Sequence, residues 1–380
     1  MVVLNRLVHR STTNEIVSAR VLRWYILSEN LPEEREYLLM ASVLTQGSSN
    51  GGIVLMTAST TVEVAIVGAG MAGLAAARDL IRAGVRTIVV EKSRGLGGRV
   101  ASRRFGEALI DHGAQFSTAR TQRYRTLLSQ WQEQGRGAVW FTGKHHGHRR
   151  WRGVPAMNTL AKTLGKTVPV ELNTLVVTIN QDHHGWRIVT AGSGEITASA
   201  LILTPPVPQT IALLQASELS LSAPLLKQLE MLTYESCLAV LACCDAPTAL
   251  PPPGYAASLK EPLAWIADNQ QKGTSPIPTL TIHATAEFSS ARWEHERRAV
   301  GKTLLEAARP YIGKATIIDY QVHGWRYSKP RQVYPEPCLM VCEKPPLILA
   351  GDAFAGPRVE GAVCSGWAAA ALVKELLTPH

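Results

Sequence analysis

The chain has 380 residues, a formal net charge of +9 and 46% hydrophobic residues, enough for two packed regions and too apolar for a disordered chain. Its basic residues are scattered and aromatics make up only 6%, which argues against a nucleic-acid-binding surface. The apolar stretch Tyr37–Met56 is interrupted by Gln46-Gly47-Ser48-Ser49-Asn50-Gly51-Gly52, so it is not a membrane span.

Residues 1–55 hold five arginines and five glutamates, so the whole net charge lies beyond them. No charged end leads into a continuous apolar core, so a signal peptide is not expected, and the acids argue against a transit peptide. Residues 46–61 are rich in Gly, Ser and Thr and read as a linker. Residues 1–61 are therefore expected to be an extension, disordered or outside the functional protein, which would start near Met56.

The apolar strand Val62–Val67 then runs into Gly68-Ala69-Gly70-Met71-Ala72-Gly73 and a helical stretch. Gly68 permits the tight turn, Gly70 lets the backbone approach a pyrophosphate, and Gly73 lets the helix pack on the strand. The helix start at Met71 and Ala72 offers free N–H groups and the positive end of its dipole to phosphates. A second strand, Thr87–Val90, ends in Glu91, placed to accept hydrogen bonds from an adenosine ribose, with Lys92 beside it. Gly97-Gly98-Arg99 follows. Two glycines let the loop close and Arg99 can neutralise pyrophosphate charge, which favours FAD over NAD. Asp111-His112-Gly113-Ala114-Gln115-Phe116 would be the next loop to reach the flavin.

Further on, Thr121–Gly135 predicts a helix with Leu127, Leu128 and Trp131 on one face. Lys144–Arg152 is a basic, histidine-rich run without carboxylate or cysteine, read as a solvated loop or hairpin and not as a metal site. Pro155–Leu164 predicts a helix. Leu172–Ile179, Trp186–Thr190 and Leu201–Leu203 predict strands, the last stopped by Thr204-Pro205-Pro206. Val176 is placed to touch the adenine through its backbone. Leu238–Cys243, Leu263–Ala267 and Leu280–Ala284 predict strands of a sheet that caps the flavin, covered by a helix over Ser289–Ala308. Near the end, Leu347–Ala350 predicts a buried strand that leads into Gly351-Asp352, whose carboxylate can bind ribityl or ribose hydroxyls. Arg358-Val359-Glu360-Gly361-Ala362 opens a helix that reaches Leu377, and its start can face the flavin pyrimidine ring. The six cysteines show no metal-site spacing and fit small core residues in a reducing cytoplasm.

A cofactor gathered from both ends implies an α/β chain: a Rossmann-type FAD-binding domain with an inserted α+β substrate domain built on a mixed or antiparallel sheet. The expected division is 62–120 with 155–207 and 338–377 for FAD, and 121–154 with 208–337 for substrate.

On these residues the chain resembles the renalase family of FAD-dependent oxidases, particularly its bacterial form, and more broadly the flavin amine oxidase fold. The resemblance rests on Val64–Gly73, Gly97-Gly98-Arg99, Gly113–Phe116, Thr204–Pro208, Ile266–Asn269, Ile282-His283-Ala284, Trp325–Ser328, Gly351-Asp352 and Arg358–Ala362. It implies FAD contacts at Gly70, Ala72, Glu91, Arg99, Gln115, Phe116 and Asp352. It also implies oxidation of dihydronicotinamide dinucleotides reduced at the wrong ring position, by hydride transfer to flavin N5, with oxygen reduced to peroxide. Such a reaction needs orientation and a dry ring face rather than a nucleophile or a strong base. Trp325 and Tyr327 are candidates to wall the substrate, and His283 to hold a carboxamide. The FAD is expected to be non-covalent and the protein cytoplasmic. An anionic cofactor and an anionic nucleotide substrate would also explain the basic charge. The competing readings are a flavin amine oxidase, an FAD-dependent isoprenoid desaturase or isomerase, and a non-enzymatic flavin-binding protein.

Overall fold

The computed structural model describes residues 60–378, apart from 144–146, 184 and 193. The expected extension up to residue 59 and the Lys144-His145-His146 part of the basic run lie outside the described residues.

The near-continuous apolar runs form a parallel sheet covered on both faces, as such runs require. Thr60–Val67 sits at its centre, flanked by Glu195–Leu203 and Thr87–Val90. Val64 is opposite both Ala200 and Thr87. Pro346–Leu349 extends the sheet parallel to Leu201–Leu203, and Val170–Glu171 extends it beyond Thr87–Val90. The hairpin of Val176–Asp182 and Gly185–Thr190 joins antiparallel to the start of Glu195–Leu203. Leu339–Glu343 closes the edge beside Pro346–Leu349.

Helices Met71–Arg82 and Val359–Leu377 pack together on one face of this sheet. Their contact is backbone-close, since a Cβ on Gly366 would lie 2.1 Å from the Ala72 carbonyl oxygen. Helix Gln122–Glu133, expected with the inserted region, puts Tyr124, Leu128 and Trp131 into this same core. On the opposite face, helix Val207–Ala216 places Leu213 and Leu214 against Leu203, Leu347 and Leu349.

The second sheet is wholly antiparallel, in the order Tyr255–Ala257, Leu263–Asp268, Thr279–Ala284, Tyr234–Cys244, Ile317–Pro330. Its outer face buries Leu238, Val240 and Ile282 under Val300 and Leu304 of helix Arg297–Ala307. Its inner face brings Leu241 and Cys243 against Ala108 and Ile110 of the hairpin Ser102–Phe105 and Ala108–Asp111.

One expectation is corrected here, and one strand was not foreseen. The helix over Ser289–Ala308 is broken into Ala286–Ala291 and Arg297–Ala307. The Glu296 carboxylate accepts from the Arg298 and Ala299 N–H groups, which caps a fresh helix start where one continuous helix was expected. The 14-residue strand Ile317–Pro330, by contrast, was invisible to hydrophobic periodicity. Nearly all of its side chains are half-buried or exposed, so it carries no alternating apolar pattern.

The closeness of the two long helices makes Gly366→Ala a sharp test of this packing. A methyl there must push the helices apart, and we expect a loss of about 1–3 kcal/mol in urea unfolding, the usual cost of overpacking.

Candidate functional site

A cleft of about 2060 Å³ opens between the two sheets, well above the size of ordinary small-ligand pockets. One wall is the glycine turn with Gly68, Gly70, Met71 and Ala72, followed by the loop from Glu91 to Val100. Gly68 sits at φ +101°, and a Cβ there would lie 2.6 Å from the Thr204 hydroxyl. Gly73 does not line the cleft. A Cβ on it would lie 2.0 Å from the Gly68 carbonyl oxygen, so its role is to let helix and turn pack. Gly70 has nothing within 4 Å of a hypothetical Cβ, so its backbone faces open space. The helix beginning at Met71 has no side-chain cap, which leaves its first N–H groups available to an anion. The loop folds back through a hydrogen bond from Gly97 N to the Ala69 carbonyl at 2.9 Å, and this lays Gly98 beside Gly70.

Glu91 is buried. One carboxylate oxygen accepts from Ala69 N at 2.7 Å and the other from Ser93 N at 2.8 Å. It therefore fixes the loop while keeping lone pairs for a ligand hydroxyl. Lys92 and Val176 also line the cleft.

Arg99 and Asp352, expected to meet different parts of the cofactor, are brought to each other. The guanidinium donates to both carboxylate oxygens at 2.7 Å, and further to the carbonyls of Tyr327 and Ser328. Burial alone would weaken the Arg99 charge; Asp352, helped by Tyr234, more than restores it. The pair ties the glycine loop, the last sheet strand and the substrate-side strand together. Gly351 lines the cleft and its N–H donates to the Ser365 hydroxyl. Val359 and Ala362 also line it. Glu360 and Gly361 do not: the Glu360 carboxylate accepts from the N–H groups of Arg120 and Thr121 and from the Thr121 hydroxyl.

Gln115 and Phe116 are not among the residues that line the cleft, although Ala114 beside them is. Gln115 donates to the Asp111 and Gly113 carbonyls and accepts from Lys272. Phe116 joins an aromatic group with Phe141 and Trp265, to which Trp140 and Tyr255 belong, with Tyr255 stacked between Phe141 and Trp265. Trp325 and Tyr327 line the cleft, whereas His283 does not. Trp325 stacks on His112 and donates to its carbonyl at 3.0 Å, and His283 Nε2 lies 3.1 Å from the same carbonyl. Burial, aided by neighbouring cations and imidazoles, pushes His112 down to about 2; burial pushes His283 down to about 4. Both rings are neutral at neutral pH, so neither imidazole adds charge beside Trp325.

Sequence reasoning missed Lys272 and the role of Asp111. Both are fully buried. Lys272 Nζ donates to Asp111 Oδ2 at 2.8 Å and lies over the Trp140 ring. Asp111 Oδ1 accepts from the Ser102 hydroxyl and from Met157 N, and Thr274 reaches Oδ2. Burial pulls the Lys272 ammonium down from its usual value and Asp111 opposes that shift. Lys272 sits in a turn after a strand, where a lysine normally faces water, so no sequence pattern signalled it.

These residues fit a flavin dinucleotide on two observations of the cleft itself. The bare helix start and open Gly70 can take a pyrophosphate, and the buried His112 Nδ1 on the cleft wall has no protein partner.

Comparison with known proteins agrees with this arrangement. Residues 66–131 match the NAD(P)-binding Rossmann-like domain, and residues 130–374 match the flavin containing amine oxidoreductase family. A 72-residue stretch is 46% identical to tryptophan 2-monooxygenase of Pseudomonas savastanoi, covering 18% of this chain and 13% of that protein. A 63-residue stretch is 44% identical to the protein anon-37Cs of Drosophila lebanonensis, covering 16% of this chain and 12% of that one. The chain thus aligns with only a small part of these relatives. A redesigned putrescine oxidase structure matches with a TM-score of 0.65 at 15% identity, over 84% of this chain and all of the other. At that identity the likeness speaks for the fold. No helix among the described residues is long and apolar enough to cross a membrane.

Lys272→Met, which strands a buried carboxylate, is expected to cost about 3–5 kcal/mol in urea unfolding, and a near-neutral result would remove the pair from this account. The histidines set a pH dependence as well. His283 falls from 6.5 to about 4, so the unfolded chain binds the extra proton between those values. Stability is full above pH 6.5 and drops as pH falls towards 4, by at most about 3 kcal/mol from this group. Thermal melts from pH 7 to 4 should show the fall, and His283→Gln should make it shallower.

Proposed function

The chain belongs to the flavin containing amine oxidoreductase family, and we propose that it is an FAD-dependent oxidoreductase that oxidises dihydronicotinamide dinucleotides of the 2- or 6-dihydro type, in the manner of renalase, with oxygen as the electron acceptor. The observation that carries this reading is the charge of the cleft. Eleven lysines and arginines line it against four carboxylates, Glu91, Glu294, Glu296 and Asp352. Each carboxylate is engaged within the protein: Glu91 and Glu296 by backbone N–H groups, Asp352 by Arg99, Glu294 by Arg326 at 3.5 Å. A cationic amine would enter a field of its own sign and find no free carboxylate. A polyanionic dinucleotide would be drawn in, even after the cofactor has neutralised part of the charge.

When bound, the flavin supplies a two-electron acceptor. In this proposal the protein does the rest by position. The helix start at Met71 and the open Gly70 hold the cofactor's phosphates, and the Arg99–Asp352 pair fixes the loop that covers them. Trp325, stacked on His112, offers a flat wall to a planar ring. The cleft-lining imidazoles His112 and His323 are both held neutral by burial, so they are weak bases, in keeping with a hydride donor whose aromatisation drives the reaction without a strong base. One observation favours a second reading, a flavin amine oxidase: the aromatic group of Phe116, Trp140, Phe141, Tyr255 and Trp265 is the kind of surface on which a neutral amine packs.

Anaerobic mixing of the yellow holoprotein with 2- and 6-dihydro-NAD(P), followed at the flavin absorbance band, separates the two. Fast bleaching restored by air is the expected outcome, with a second-order rate that falls as salt is raised, because attraction between opposite charges is screened. Bleaching by amines alone would overturn the dinucleotide reading.

A further inference from the structure

The cleft wall formed by the substrate sheet carries cations that the cofactor reading leaves unused. Arg103 is half-buried and donates to the neutral Gln321 side chain at 3.1 Å. Arg297 is also half-buried, donates to the Trp293 carbonyl and lies 5.0 Å over the Trp293 ring. Among the described residues neither arginine forms an ion pair with a carboxylate. The nearby acids are taken: Glu294 faces Arg326, and Glu296 caps its helix. His323 lines the same cleft, edge-on to His112 and Trp325. Burial, then repulsion from Arg103 and Arg297, pushes its imidazole down to about 4, and Arg103, Trp293, Arg297 and His323 all line the same cleft. Burial likewise weakens the charge on each arginine. A further polar atom waits there, because the buried Trp293 indole N–H has no partner. Gly324 leaves the space for it: a Cβ at that position would come within 2.9 Å of the Trp293 ring. Two half-buried guanidinium groups that form no ion pair among the described residues, and an unsatisfied N–H beside them, make a site that an anion would complete, although Glu294 also acts on Arg297 from the rim.

We propose that Arg103, Arg297 and the Trp293 indole form the diphosphate subsite for the dinucleotide substrate, and so set selectivity for a dinucleotide over a phosphate-free nicotinamide nucleoside. This rests on the preceding reading of the substrate. The same chemistry would suit the cofactor's own diphosphate, but the bare helix start at Met71 and the glycine turn already offer that group a place on the opposite wall.

The experiment compares the holoprotein with Arg103→Gln and Arg297→Gln. Steady-state oxidation of 6-dihydro-NAD is set against that of 6-dihydronicotinamide riboside, ADP binding is measured by calorimetry, and FAD content is read from the absorbance spectrum. Each variant should raise KM for the dinucleotide about tenfold, the loss expected for one charge-assisted contact, with kcat little changed. The ratio of dinucleotide to riboside efficiency should fall by about the same factor, and ADP affinity with it. An unchanged ratio together with unchanged ADP binding would overturn the proposal. Loss of FAD in the variants would overturn it too, by assigning these arginines to the cofactor. If neither substrate bleaches the wild-type flavin, the substrate reading fails by itself, while ADP binding weakened by Arg103→Gln would still support the subsite.

Discussion

A carboxylate removed from water must have its lone pairs occupied by donors, and Asp111 meets that condition with four groups from three separate segments. Ser102 belongs to the neighbouring hairpin strand, Met157 opens the way into a helix under the parallel sheet, and Lys272 and Thr274 come from a turn of the antiparallel sheet. The backbone of the same residue is held as well, its N–H by Asn269 and its carbonyl by Thr281. The two sheets therefore cannot shift relative to each other without exposing an unpaired charge to a dry interior. His112, Gly113 and Ala114 follow directly, so the wall of the cleft inherits its position from this one residue.

The Arg99–Asp352 pair applies a similar constraint at the other side of the cleft. It joins residues 253 positions apart and also seizes the carbonyls of Tyr327 and Ser328. Three segments that each border the cleft are fixed by one guanidinium. Its planar fork matches the carboxylate with two parallel hydrogen bonds, which a lysine could not do. Together the two charged pairs fix the walls of a cleft that is lined by eleven lysines and arginines against four carboxylates, an excess of positive charge.

The glycine turn, Glu91, Gly98, Arg99 and the Gly351-Asp352 turn were legible because their signals are local: a few residues at fixed spacing around a strand end. The partners of those residues were not. Glu360 reads like part of a cofactor loop, yet its carboxylate turns to Arg120 and Thr121, because those N–H groups need an acceptor where the helix begins. Gln115 and Phe116 read as flavin contacts, and their immediate neighbours are Lys272 and an aromatic group assembled from three strands and a loop.

The sequence by itself determined the parallel α/β core, the dinucleotide turn and the class of cofactor, since backbone conformation and hydrophobic period are properties of short stretches. The meeting of distant segments settles that Lys272 is buried against Asp111, that Arg99 meets Asp352, and that among the described residues neither Arg103 nor Arg297 forms an ion pair with a carboxylate. Those facts depend on which distant segments are brought within a few ångströms. Charge pairing and desolvation act at that range in space and leave no period along the chain.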